Sequence, residues 1–192
     1  MKLNKSSAIF FFAIIAVTAI LKILLAANIE WSGFSTVIAI ALFAGLSFKD
    51  KSRAFLLPLI CVFVSDVIVQ IFYVMNWFSF SGFYSWQILN YSLFIVLAFL
   101  GSLLRKGKTA GVITAMLAGP TLFFLISNFF VWKMQGSIMS YSNDVSGLMK
   151  CYVAGLPFYR NSLIATAIFL PAFIASYNMI VKGKFSLRLL AE

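Results

Sequence analysis

Histidine is absent from this chain of 192 residues, which removes the commonest metal ligand and proton shuttle. Acid is almost as scarce: five Asp and Glu stand against fifteen Lys and Arg, and charged residues make up only 10% of the sequence. A soluble domain carries about 25%. With so few carboxylates there is no pair for general acid–base work, and the motifs of serine hydrolases and zinc proteases do not occur. The Gly107-Lys108-Thr109 triplet ends like a phosphate-binding loop, but Ser102 stands where its first glycine belongs. The two cysteines, Cys61 and Cys151, make no disulfide framework, and Cys151 alone reads as a packing residue. The expectation is a protein that is not an enzyme, with no cofactor and no metal site.

What the chain has instead is apolar length. Hydrophobic residues make up 62% of it, in runs of the size that crosses a bilayer, about 18 residues or more. Six segments emerge, at about 8–27, 31–48, 54–75, 86–104, 109–132 and 158–181. The first resembles a signal peptide, since Lys2 and Lys5 precede it, yet Lys22 interrupts it before any cleavage site, so a retained helix is expected. The fold class is therefore all-α, a polytopic six-helix transmembrane bundle over a single domain, 1–192.

The basic residues choose an orientation. Lys2, Lys5, Lys49, Lys51, Arg53, Arg105, Lys106, Lys108, Lys182, Lys184 and Arg188 all fall on one side of the weave. Such bias in short loops marks the cytoplasmic face, so both termini are expected there. The same clustering argues against nucleic acid as the partner of the net charge of +10. The opposite loops are aromatic: residues 76–84 carry Trp77, Phe78, Phe80, Phe83 and Tyr84 without a charge. The loop 133–156 is long for a bundle, and its helical spacing of Leu148, Tyr152 and Leu156 suggests a stretch lying along the membrane surface.

Polar side chains inside the spans carry the functional reading. Asp66 lies twelve residues into the third segment, near mid-membrane by count. A carboxylate there costs about 2.5–3.5 kcal/mol. One interhelical hydrogen bond returns only about 0.6–2 kcal/mol. Asp66 must then be protonated, paired with a cation such as Lys22 or Arg160, or ringed by several donors. Gln70 and Tyr73 follow it up the same helical face. Asn90 with Trp86, Asn128 with Trp132, and Arg160 with Asn161 stand at the outer ends of three further segments. Together they suggest an outward polar cavity in which Trp86, Trp132 and Tyr73 enclose a small-molecule ligand and Arg160 takes an anion. Pro58, Pro120 and Pro171 free backbone carbonyls that lipid cannot satisfy, so those helices should face protein or a water-filled cavity. In the fifth segment Gly111, Ala115 and Gly119 recur every fourth residue, as do Ala110, Thr114 and Ala118, a spacing that lets helices approach closely within the chain or with a partner membrane protein.

Four stretches carry a resemblance: residues 34–45 (FSTVIAIALFAG), residues 54–58 (AFLLP) through Ser65-Asp66, residues 123–128 (FFLISN) with Trp132, and residues 151–158 (CYVAGLPF) with Asn161. They resemble a family of uncharacterised bacterial integral membrane proteins. That family is similar in size, helix count and loop pattern to the substrate-binding S components of energy-coupling-factor (ECF) vitamin transporters, and to a solitary S-component-like cobalamin transporter. The resemblance implies a bundle in the bacterial cytoplasmic membrane that captures a vitamin-like nutrient from outside. It also implies an ATP-driven partner module, or facilitated passage without one. Ala165-Thr166 replaces a Gly-Asp pair common in the family, and the third loop lacks the cysteine of the cobalamin protein, so cobalt chemistry does not carry over. The alternative expectation is a non-catalytic structural or assembly subunit that docks on a larger membrane complex through the Gly111/Ala115/Gly119 face.

Overall fold

A computed structural model of the chain describes residues 5–25, 28–134 and 141–186, with the side chains of Ile29, Gly107 and Lys108 outside that description. Among the described residues there are six α-helices and no strand: α1 Lys5–Leu25, α2 Val37–Ser47, α3 Lys51–Val74, α4 Gln87–Leu104, α5 Lys108–Lys133 and α6 Val145–Lys182. Single 3₁₀ turns precede α2 and α5. All but α2 are long and apolar enough to cross a membrane, so the chain is an all-α polytopic bundle. One end of it gathers Lys5, Lys49, Lys51, Arg53, Arg105 and Lys182 and is called the basic end. The other, formed by residues 28–36, 75–86 and 141–144, is called the aromatic end.

The exception, α2, organises the rest. Every residue from Val37 to Leu46 is buried. Its sequence is apolar on all sides, which is the pattern of a helix surrounded by protein. Helices α3, α4, α5 and α6 pack around it, α4 most extensively. At 11 residues it is about 16 Å long, short of a hydrocarbon core of about 30 Å. The expected second span, 31–48, therefore divides into a short helix and an irregular approach to it at residues 28–36.

Close approach makes this packing work. A side chain begun at Gly45 would place its Cβ 2.0 Å from Ala98 O, and one at Gly101 would lie 2.6 Å from Leu42 O. Helices α2 and α4 thus touch backbone to backbone. Arg105 clamps the same contact at the basic end, with Nε at 3.1 Å and Nη2 at 2.8 Å from Gly45 O, an otherwise orphaned last-turn carbonyl. An aromatic cluster of Phe10, Phe43, Phe48 and Tyr177 ties α1, α2 and α6 together, with Tyr177 edge to face against the other three rings and Phe10 tilted on Phe43. Of the three prolines expected to turn toward protein, Pro58 and Pro120 are fully buried and Pro171 is half-buried.

The small-residue row of α5 is used inside the chain. A Cβ on Gly111 would lie 2.1 Å from Leu104 O, and one on Gly119 2.6 Å from the Leu42 side chain, while Ala115 is fully buried. Of the two expected uses of this spacing, the one within the chain is seen: the row lets α5 seat against α2 and the end of α4.

The last helix also begins earlier than its apolar run. Asp144 caps it by accepting from Gly147 N at 2.7 Å and from Ser142 Oγ at 2.7 Å. These two bonds hold the Asp144 carboxyl below its usual range. The second half of the expected 133–156 loop is therefore helix, continuous through Pro157 and Pro171 to Lys182. Its 38 residues span about 57 Å, so the helix is longer than the bilayer core. At its far end Gly183 adopts φ +67° and donates to Asn178 O, a left-handed helix stop.

These contacts set an expectation for substitutions. Gly45→Ala should destabilise the bundle by about 1–3 kcal/mol or more, because backbones must separate. Gly183→Asn, with open space around it and a φ that Asn tolerates, should be near neutral. Thermal unfolding in detergent measures both, and equal tolerance would contradict the backbone contact.

Candidate functional site

One carboxylate collects three helices at the aromatic end. Asp66 of α3 is buried, with a side chain 9% exposed. Lys22, in the last turn of α1, pairs with its Oδ1 and also donates to Ser65 Oγ at 2.8 Å. Ser65 passes the contact on, donating to Val62 O at 2.7 Å. The second oxygen, Oδ2, accepts from Gln87 Nε2 at 2.8 Å and from Tyr91 OH at 2.7 Å, both on α4. Gln87 Nε2 also reaches the Tyr91 oxygen at 2.9 Å. One cation and two neutral donors together meet the demand that a single neutral partner leaves open.

Counting along the apolar run puts Asp66 in mid-membrane, whereas the fold sets it level with helix ends. Gln87 is the first residue of α4, and Lys22 lies three residues from the end of α1. Helix α3 continues past Asp66 to Val74, and the 75–86 loop folds back down along it. Gly82 permits this: a Cβ there would lie 2.1 Å from Asp66 O and 2.6 Å from Gln70 N. Gln70 Oε1 receives the loop, accepting from Ser81 Oγ at 2.7 Å, Gly82 N at 3.0 Å and Phe83 N at 3.3 Å.

Opposite this loop the 28–36 segment is held by α6. Asn161 Nδ2 donates to Glu30 O at 2.7 Å and to Ser32 O at 2.9 Å, and Ser162 Oγ donates to Gly33 O at 3.0 Å. Thr18 and Thr36 share a hydrogen bond of 2.7 Å beneath it. Between the two loops lies a cleft of about 270 Å³ with Lys22 and Asp66 on its walls. Trp31, Phe34, Phe80 and Tyr84 supply aromatic surface, and Ser32, Ser35 and Ser81 add hydroxyl-bearing residues.

The residues singled out in the sequence separate into groups. Asp66 and Gln70 belong to the cleft or its covering loop. Asn90 stands one step behind, donating to Tyr84 OH at 2.6 Å. Burial and then the Asp66 charge push the Tyr84 phenol above its usual range, against the pull of the Asn90 bond. Tyr73 and Trp86 are exposed at the bundle surface, 41% and 48%. Asn161 is buried and binds loop backbone. Asn128 donates within its own helix to Phe124 O at 2.9 Å, and Trp132 Nε1 donates to Ser142 O at 2.9 Å, so this pair serves the α5–α6 end. Arg160 is exposed on α6. Gln87, Tyr91 and Ser162 did not emerge from the sequence, though Gln87 and Tyr91 stand one helical turn apart beside an aromatic belt.

Comparison with known proteins adds a family. The model of a family of unknown function (DUF6580) matches residues 2–188, and the chain belongs to that family. No curated protein and no solved structure matches it.

A double-mutant cycle tests the central pair. Lys22→Met should cost about 3 kcal/mol, the low end for a broken buried pair because the lysine side chain is 24% exposed. Lys22→Met combined with Asp66→Asn should regain at least half of that, since Asn still accepts from Gln87 and Tyr91. Asp66→Asn alone completes the cycle; chemical unfolding in micelles reads all three, and a double-variant loss equal to the sum of the two single losses would show that the pair is not coupled.

Proposed function

We propose that this member of the family is a membrane-embedded capture protein for a small organic molecule, working in transport and without catalysis. The binding place is the cleft between the 28–36 segment and the 75–86 loop. The observation that carries the reading is a charged, hydrogen-bonded cluster set at the base of an aromatic-walled cleft. Ligand pockets are usually apolar concavities with a few fixed polar groups, and about 300 Å³ is the small end of their range. A molecule of vitamin-like size fits that scale.

The rest of the reading follows from charge and from the resemblance to S components of energy-coupling-factor transporters. The basic end faces the cytoplasm of a bacterial cell, with both termini there, and the cleft faces outward. The bundle takes its nutrient from outside, and either an ATP-driven partner module or facilitated passage carries it inward. Residues 28–36 form the side of the cleft carried by α6, through the buried Asn161 and Ser162 and the close approach of Gly33 to Phe158 O. The expectation that Asn128, Trp132 and Arg160 share the ligand site is not retained in this reading, since none of them lines the cleft.

Native mass spectrometry of protein purified gently from its own membrane tests this. The expected spectrum carries one non-lipid small molecule per chain. Ser32→Trp, a substitution at an exposed cleft residue, should abolish that adduct while leaving the thermal transition unchanged. An adduct that survives the blocking side chain, or none on the unaltered protein, counts against the cleft.

A further inference from the structure

The hydrogen-bond inventory of the cleft is lopsided, and its imbalance names a ligand class. The carboxylate and amide oxygens of the side chains around it, and three carbonyls of the 28–36 segment, are already engaged. Asp66 Oδ1 takes Lys22, and Oδ2 takes Gln87 and Tyr91. Gln70 Oε1 takes three donors from the covering loop. The carbonyls of Glu30, Ser32 and Gly33 are turned to α6 by Asn161 and Ser162.

Donors are in surplus. The Lys22 ammonium has three N–H groups, and among the described residues two of them are used, on Ser65 and Asp66. The Ser35 oxygen accepts from Val37 N at 3.3 Å, which leaves its O–H to donate. The Tyr84 oxygen accepts from Asn90 at 2.6 Å, which leaves its O–H likewise. All three residues line the cleft. The lysine side chain is also the more accessible member of its pair, 24% exposed against 9% for Asp66. The remaining wall is ring surface: Trp31 and Phe34 stand edge to face at 5.6 Å on one side, with Phe80 across the cleft.

Building on the capture reading, we infer that the cleft takes a small, flat, largely apolar molecule bearing one carboxylate. The acid group seats on Lys22, Ser35 and Tyr84, and the ring system lies between Trp31, Phe34 and Phe80. Carboxylates accept such donors with charge assistance, and aromatic rings pack against the walls in offset or edge geometry. A cationic ligand would meet the free side of Lys22, and Asp66, the carboxylate in the cleft wall, is already occupied.

The test uses three probes that differ only in the head group: 2-naphthoate, 2-naphthamide and 2-naphthylmethylamine. Each is titrated against the full chain in phosphatidylcholine nanodiscs, with tryptophan fluorescence and calorimetry as readouts. The expected result is naphthoate binding about tenfold tighter than the amide, with the amine weakest, since bonds to charged groups exceed neutral ones by roughly that factor. Lys22→Gln should erase the advantage of the acid over the amide. The comparison on unaltered protein stands even if that variant fails to fold. An amide or amine that binds as well as the acid overturns the inferred anion while leaving a ligand cleft in place. Silence from all three probes overturns the inference alone if native mass spectrometry still finds a bound small molecule, and overturns both readings if it finds none. Naphthoate binding that falls as phosphatidylglycerol is added to the disc assigns the donors to a lipid phosphate and overturns the small-molecule carboxylate.

Discussion

A helix too short to cross the bilayer, buried on every side, is the constraint from which the site follows. From Val37 to Leu46 helix α2 brings no polar side chain to its neighbours, and it reaches only part of the required height. The chain from Asn28 to Thr36 must then run as a 3₁₀ turn and irregular backbone among apolar helices. Lipid offers no partners to such a segment, so protein has to supply them. Asn161 and Ser162 bind its carbonyls, and Thr18 meets Thr36 below. The cleft is the space left beside this non-helical stretch.

The Lys22–Asp66 pair occupies the same level for the same reason. With the 28–36 segment failing to fill the volume a helix would, polar groups there can be reached by solvent. The pair is not isolated in hydrocarbon: Gln87 and Tyr91 complete the carboxylate from α4 while Ser65 shares the ammonium. Four helices' worth of positioning thus converge on one ionic contact, α1, α3 and α4 directly and α6 through the loop it restrains.

The sequence made the scaffold legible and the site only partly so. Long apolar runs revealed α1, α3, α4 and α5 to within a few residues, because in lipid length and hydropathy are nearly the whole rule. The start of α6 was hidden. Pro157 resembles a boundary and the preceding residues are mixed in polarity, yet Asp144 capping sets the start at Val145. Asp66 and its partner Lys22 stood out as charges within apolar runs. The depth of Asp66 did not, since it depends on Gly82 letting a loop lie flat on α3. Asn161 was visible as polar and its partners were not, because it binds backbone more than a hundred residues away. The Gly111 row showed that helices come close without showing which ones.

Gly82 has one further consequence. With its backbone pressed onto Asp66 and Gln70, and Gln70 holding three groups of the loop, the 75–86 loop is fastened to α3. The 28–36 stretch is held against α6 in a similar way, by the Asn161 and Ser162 side chains and by Gly33, where a Cβ would lie 2.5 Å from Phe158 O. The cleft thus lies between two segments that are each fastened to a helix where a glycine removes the side chain, Gly82 on α3 and Gly33 on α6, and a larger residue at either one would push a cleft wall off its support.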